Sequence, residues 1–445
     1  MGDDKTRLTS RRRLLKTVGT ASILAGMAPG VFPRKVNAQK KTLRIMRWKN
    51  FVPGFESWFN DTFVKEWGEQ NNTQVIVENV GLGDLDRLAG AEIAAQDGHD
   101  MVLFLSSRPA LEDYVIDHRE IFEECESRFG KVSAFIKKSC FNPRTDKYHG
   151  FCESYAPTVL TYRKDLWDAV GHAPLTWEII RKGGRAIKLL HETPVGISLS
   201  SEHNGEYSIR AIMAAFGASV QDIHAHPSLT SPNTLDALKF AKALYEETMT
   251  PDVLRWNSAS NNQYMLSGSG SLTIDTMSII RAAQNKTLAI DKDLAITTLP
   301  EGPAGRVGPM FSANTYVVWK FAKNPDGAKK FLVDYIARFH EGFLSSGFQN
   351  MPSFPKSVFD LDAVVKSDSG LPDRYSVLSD VPSALTNIGY PGYSNAAIDE
   401  VRSKRILTKM FAQVLSEAST PSAAMEQAST EIAKIFDKWR EAGKI

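Results

Sequence analysis

Between Leu43 and Leu105 the chain alternates three short apolar runs with two helix-type runs, and this alternation constrains the fold more than any other feature. "LRIMRW" reads as a strand, the aromatic loop "KNFVPGF" follows, and a helical pattern covers residues 56–71. The strand-type "TQVIVENV" comes next, then the Asp84-led helical run "DLDRLAGAEIAAQDG" and the apolar "DMVLFL". Strands separated by helices pair in parallel, with helices covering the faces of the sheet. The predicted class is therefore α/β. In such sheets ligands sit beyond the carboxyl ends of the strands, which singles out three loops at residues 48–51, 81–84 and 106–108. Trp48 and Phe51 lie close to a Pro-Gly turn at 53–54, a setting that suits a loop better than a core.

Farther along, the pattern restarts. Thr176-Trp177-Glu178 is a helix-start sequence, and "SPNTLDALKFAKALYEE" has an N-cap candidate at Ser231 or Asn233 with apolar positions 235, 238, 241 and 244 on one helical face. "LTIDTM" reads as a strand, and "GPMFSANTYVVW" as a strand that returns after the Gly/Pro-rich crossing "LPEGPAGRVG". A loop spans residues 384–395. Helices are expected over about 396–416 and 421–441, the second starting at Pro421, a first-turn proline.

The first 38 residues have a different character. "TSRRRLLKTVGT" places three arginines and a lysine before a Gly/Ala-rich, weakly apolar stretch that is too short to span a bilayer. It ends in "VNAQ", where Val36 and Ala38 supply the small residues of a signal-peptidase site. Ser10-Arg11-Arg12-Arg13-Leu14-Leu15-Lys16 resembles a twin-arginine export signal, with Leu14 where Phe is common. These 38 residues hold eight Lys/Arg against two Asp, so their removal takes the net charge from +2 to −4. A mildly acidic chain without a basic run has no electrostatic footprint for nucleic acid. The remaining length is enough for two lobes. Of the three cysteines, Cys140 and Cys152 flank "FNPRTDKYHGF", which reads as a hairpin turning at 143–147. They are either close enough to pair or are buried thiols, and Cys125 is left over.

Catalytic signatures are missing. The sequence has neither a G-x-S-x-G elbow nor a P-loop, and "SGSGS" at 267–271 reads as a turn. His224 and His226 have no ligand partner at metal spacing, and Cys152-Glu153 near His149 matches no thiol-catalysis pattern. No metal and no cofactor is expected.

Three segments, "YAPTVLTYRKDLWDAVGHAPLTWEII", "FSANTYVVWKFAKNPDGAKKFLVDYI" and "GYPGYSNAAIDEVRSKRILTKM", occur in the order seen in a known family. With the front of the chain they make it resemble a family 1 extracellular solute-binding protein, the maltose-binding-protein-like receptors of ABC importers. The resemblance implies a two-lobe periplasmic-binding-protein-like fold of type II, each lobe a mainly parallel sheet flanked by helices, with no catalysis. It implies a signal at 1–38, lobe one over 39–153 plus 311–350, lobe two over 158–307 plus 356–445, and hinge crossings near 154–157, 308–310 and 351–355. It also implies a periplasmic monomer that passes a small solute, a carbohydrate, to an ABC permease in the inner membrane. The family's ligand loops fall on Trp48, Asn50, Phe51, Asp84, Ser106, Ser107 and Arg108 in lobe one. From lobe two and the crossings come Tyr155, Glu206, Tyr207, Asp275, Thr276, Met277, Asn314 and Tyr393. Met277 stands where relatives often have a stacking aromatic, and Glu206 is spaced to pair with Arg210 instead. The rival solute is a polyamine, which needs several carboxylates and an aromatic box.

Overall fold

A computed structural model describes residues 40–50, 52–366 and 374–445; the expected export signal at 1–38 and Phe51 lie outside the described residues. Residues 40–445 form one compact unit. Its front half contains strands β1 (Lys41–Trp48), β2 (Thr73–Val80) and β3 (Met101–Phe104), helix α1 (Leu85–Ala95) between the last two, and strand β4 (Phe151–Ala156). The middle contains β5 (Val159–Arg163), helices α2 (Trp177–His191), α3 (His203–Ala215) and α4 (Pro232–Thr248), and strands β6 (Leu272–Asp275) and β7 (Leu294–Thr297). The rear contributes β8 (Ser312–Val318), α5 (Pro325–Ala337), β9 (Met351–Pro352), and helices α6 (Ala396–Ser403), α7 (Ile406–Leu415) and α8 (Pro421–Glu441).

Two sheets organise two α/β lobes. The larger has the order β9-β4-β8-β3-β1-β2 and the smaller β6-β5-β7. The parallel pairing expected at the front holds: β1 runs parallel to β2 from Lys41↔Thr73 to Trp48↔Val80, and parallel to β3. Strand β3 is buried throughout, as a central strand covered on both faces should be, whereas β2 at the edge alternates between buried and exposed. The other ladders of these two sheets are antiparallel, so the expectation of mainly parallel sheets is corrected: parallel pairing is confined to β2-β1-β3 of the larger sheet, and the smaller sheet has none. Strand β8 opposes both β3 and β4, β9 opposes β4, and β5 opposes both β6 and β7. The reason is the route of the chain. Strand β4 leaves the larger sheet and becomes β5 of the smaller one after only Pro157 and Thr158, so the next strand to return from that side, β8, enters against the direction of β3. Two bonds tie the outgoing and returning passages together: Thr158 Oγ donates to the Pro309 carbonyl at 2.6 Å, and the Phe311 N–H to Ala156 O at 3.0 Å.

The helix expected over 56–71 is present as α-helical Pro53–Ser57 and Val64–Gln70 with a π-wound middle, Trp58–Phe63. Its aromatic side pairs edge-on with α5: Phe63 and Trp67 each meet Phe331 at 5.1 Å. The Trp58 indole N–H donates to Glu341 at 3.0 Å and that of Trp67 to Asp334 at 2.8 Å, so both large rings are buried without stranding a donor.

Caps explain several boundaries. Thr176 Oγ accepts from Ile179 N–H at 3.1 Å and Ser231 Oγ from Thr234 N–H at 3.1 Å, which selects Ser231 over Asn233 as the cap of α4. Pro421 opens α8. The single helix expected over 396–416 is corrected to two. Arg405 takes a left-handed φ of +57°, which ends α6 and makes Arg405 the N-cap of α7. The hairpin is present as Phe141–Asn142 against Lys147–Tyr148, and it brings Cys140 and Cys152 into side-chain contact. All three cysteines are buried free thiols, so of the two readings of the pair the thiol form is found.

Candidate ligand-binding cleft

The carboxyl ends of β1 and β3 in one sheet and of β6 in the other converge on a cavity of about 560 Å3, counted out to its mouth. Trp48, the last residue of β1, forms one wall together with Leu82 and Leu105. Opposite stand His203 and Asn204 from the first turn of α3, and Asp275 and Thr276 from the end of β6. Phe311, Ser312 and Asn314 reach it from the returning passage, and Gln349 and Asn350 from just before β9. The first turn of α3 is held in place by close backbone contact, since a Cβ on Gly205 would lie 1.9 Å from Ser200 O.

The lining is rich in neutral amides held by other protein groups. Asn314 Nδ2 donates to Ser154 Oγ at 2.8 Å, Asn262 Nδ2 to Ser278 Oγ at 2.9 Å, and Asn204 Nδ2 to Asn261 Oδ1 at 3.1 Å. Asn261 Nδ2 in turn donates to Asp275, whose other oxygen accepts the Thr276 N–H at 2.6 Å. Burial pushes the Asp275 carboxyl up to about 7, against the pull of those two donors. Among the described residues no donor reaches the buried Gln349 Oε1. The His203 Nε2–H donates to the Phe311 carbonyl at 3.1 Å, and its ring lies 4.5 Å from Tyr207 and 5.2 Å from Phe311. Burial, reinforced by Arg402 and Arg405, lowers this imidazole to about 3, so it is neutral at physiological pH.

A second space of about 860 Å3 shares Leu82, Leu105, His203 and Ser258 with the first, so the two are one cleft. Ser106, Arg108, Asp86, Glu202, Arg402 and Arg405 border it. Arg108 binds Asp86 and, at 3.2 Å, Asp399, which also takes Arg402 at 2.9 Å. Burial works to raise the Asp399 carboxyl, but Arg108 and Arg402 outweigh it and hold the group below its ordinary value.

Of the residues expected from sequence, Trp48, Asp275, Thr276 and Asn314 line the first space, and Ser106 and Arg108 the second. The rest are placed elsewhere. Asn50 is buried and caps Val52 N–H at 2.8 Å. Asp84 is turned outward to Arg87 at 2.9 Å, with Gly83 and Asp86 at the cleft instead. Ser107 and Met277 are buried off the lining. Tyr155 packs edge-on against Phe135 at 5.0 Å. Glu206 pairs with Arg210 at 2.9 Å, both buried, and Tyr207 sits behind His203 and Phe311. Tyr393 accepts at its carbonyl from Gln221 at 2.8 Å, away from the cleft. Sequence reasoning missed His203 and Asn204, which lie three residues before the chosen pair in "HNGEYS"; the signal was present, because the first turn of a helix faces the loop side of the sheet. Nothing local marked Gln349, Asn350, Arg402 or Arg405.

Among the described residues no cluster of His, Cys, Asp and Glu could hold a metal ion, and no helix is long and apolar enough to cross a membrane. Two α/β lobes with a polar cleft at the strand ends define the type II periplasmic-binding-protein class. Three solved structures share this fold. Maltose-bound T. maritima MalE3 has 16% identity and a TM-score of 0.74 over 88% of this chain and 99% of that one. The Thermotoga lettingae solute-binding protein bound with alpha-D-tagatose has 16% identity and a TM-score of 0.73, covering 89% and 100%. The Agrobacterium radiobacter K84 protein in complex with ribitol has 17% identity and a TM-score of 0.71, covering 89% and 98%. Among curated protein sequences none matches significantly. The model of the bacterial extracellular solute-binding protein family matches residues 53–337, and the chain belongs to that family. Its members are binding subunits of ABC transporters and not enzymes.

Proposed function

We propose that this protein is a periplasmic receptor, exported by the twin-arginine route through residues 1–38, that captures a small carbohydrate as a monomer and passes it to an inner-membrane ABC permease. The boundaries proposed from sequence, with crossings near 154–157, 308–310 and 351–355, make the cleft the closing gap between lobes. The observation that carries the reading is the composition of the Trp48 cavity. Trp48 and Phe311 bring aromatic carbon to the lining for the C–H side of a sugar ring, and the amides of Asn262, Asn314 and Gln349 with the Asp275 carboxyl supply partners for hydroxyls. The sugars and polyols bound by the three structures named above support it. A polyamine is less well served, because Asp275 is the one acidic residue lining that cavity.

Thermal melting of residues 39–445 against monosaccharides, disaccharides, polyols and polyamines tests the reading. A sugar or polyol should raise the melting temperature in a concentration-dependent way. A response to putrescine or spermidine alone would overturn it.

A further inference from the structure

The arginine-lined end of the cleft does not fit a wholly neutral ligand. Asp86 and Asp399 occupy Arg108, and Asp399 also holds Arg402 Nη2. Glu202 commits Oε1 to Ser198 Oγ at 3.1 Å and to the Gly205 N–H at 3.0 Å. Among the described residues none of these carboxylates forms an ion pair with Arg405. Among the described residues its guanidinium has no ion pair and no hydrogen bond, and its Nη1 is closed off from solvent. Arg402, whose side chain is only 9% exposed, has a buried Nε–H that also lacks an acceptor. Unanswered guanidinium donors in a buried setting are costly. Both border the same space as Ser106 and His203. The left-handed turn at Arg405 places it at the N-terminus of α7, a ten-residue helix whose dipole adds positive potential there. Neutral His203 adds no competing charge.

We propose that the solute is an acidic carbohydrate, with its ring in the Trp48 cavity and a carboxylate or phosphate held by Arg402 and Arg405. This rests on the carbohydrate reading above and narrows it. Guanidinium forks match the paired oxygens of either anion.

The test compares galacturonate and glucuronate, and galactose 6-phosphate and glucose 6-phosphate, with galactose and glucose by calorimetry on residues 39–445. At least one acidic sugar should bind about tenfold or more tightly than its neutral parent, and its affinity should fall with added sodium chloride while the neutral sugar's does not. The uronate and phosphate arms identify which anion is the natural one. Arg405→Gln should abolish the preference, and Arg405→Lys should retain part of it, with the unliganded melting temperature confirming folding. Neutral sugars binding as well as acidic ones, a salt-independent affinity, or a preference that survives Arg405→Gln would overturn the inference and leave the carbohydrate reading standing. Absence of binding by every sugar in the panel would remove both.

Discussion

Asn262 and His118 illustrate what single side chains do in this molecule. Asn262 is partly exposed at the cavity, and among the described residues its side chain bonds only to Ser278, so Asn262→Ala should weaken binding of the proposed carbohydrate by about tenfold and move the unliganded melting temperature little. Calorimetry and thermal melting on the same preparation check both halves. Trp48 is a poorer choice for that experiment. It is 3% exposed, and truncating a buried tryptophan to alanine costs about 3–5 kcal/mol of stability. His118 is structural: with Nδ1 3.0 Å from Tyr148 O, it donates there, and Nε2 accepts the Val318 N–H at 3.0 Å. Burial lowers it to about 4 from an ordinary 6.5. Below pH 6.5 the unfolded chain gains a proton that the folded one refuses, so the stability from this group is full above 6.5 and is lost down to about pH 4. The slope is about 1.4 kcal/mol per pH unit well inside that window. Urea unfolding at pH 7 and pH 5 should therefore show a smaller acid loss for His118→Gln than for the native chain. At this scale the sequence was only partly legible. It placed Trp48, Asp275, Thr276, Asn314, Ser106 and Arg108 at the cleft but missed His203 by three positions, because a loop pattern locates a site without fixing which turn of the next helix faces it.

Elements were easier to read than residues. Caps and prolines act locally, so Thr176, Ser231 and Pro421 announced α2, α4 and α8 without help from the rest of the molecule. Thr176→Ala should cost about 1 kcal/mol in chemical denaturation with the slope unchanged, since it removes the acceptor of one end-turn N–H. A larger loss, or a changed slope, would mean that Thr176 does more than cap. The break between α6 and α7 was invisible in the sequence. Arg405 is not a residue type that favours a left-handed conformation, and tertiary packing set the turn there. That same turn supplies the cleft's unpaired guanidinium, so the error in the helix boundary and the omission of Arg405 from the site have one cause.

At the scale of the whole molecule, the order of strands and helices was legible and their insertion was not. The front of the chain states its parallel strands outright, but nothing in "FSANTYVVW" says that this strand will wedge between β3 and β4 and run against them. Long-range pairing is decided by the path between lobes, not by the strand's own pattern. Because the cleft is assembled from parts as distant as Trp48 and Asn350, a ligand there binds only the folded chain. The proposed carbohydrate at 100 times its dissociation constant should thus add about 2.7 kcal/mol to unfolding, measurable as a shift in the urea midpoint. The bond from Thr158 to Pro309 bears on the closure proposed above. Two neighbouring spans of backbone fastened to each other behave as a single leaf spring: torsion imposed on either is shared by both, and under the proposed closure the jaws they carry would open along one arc instead of wandering independently.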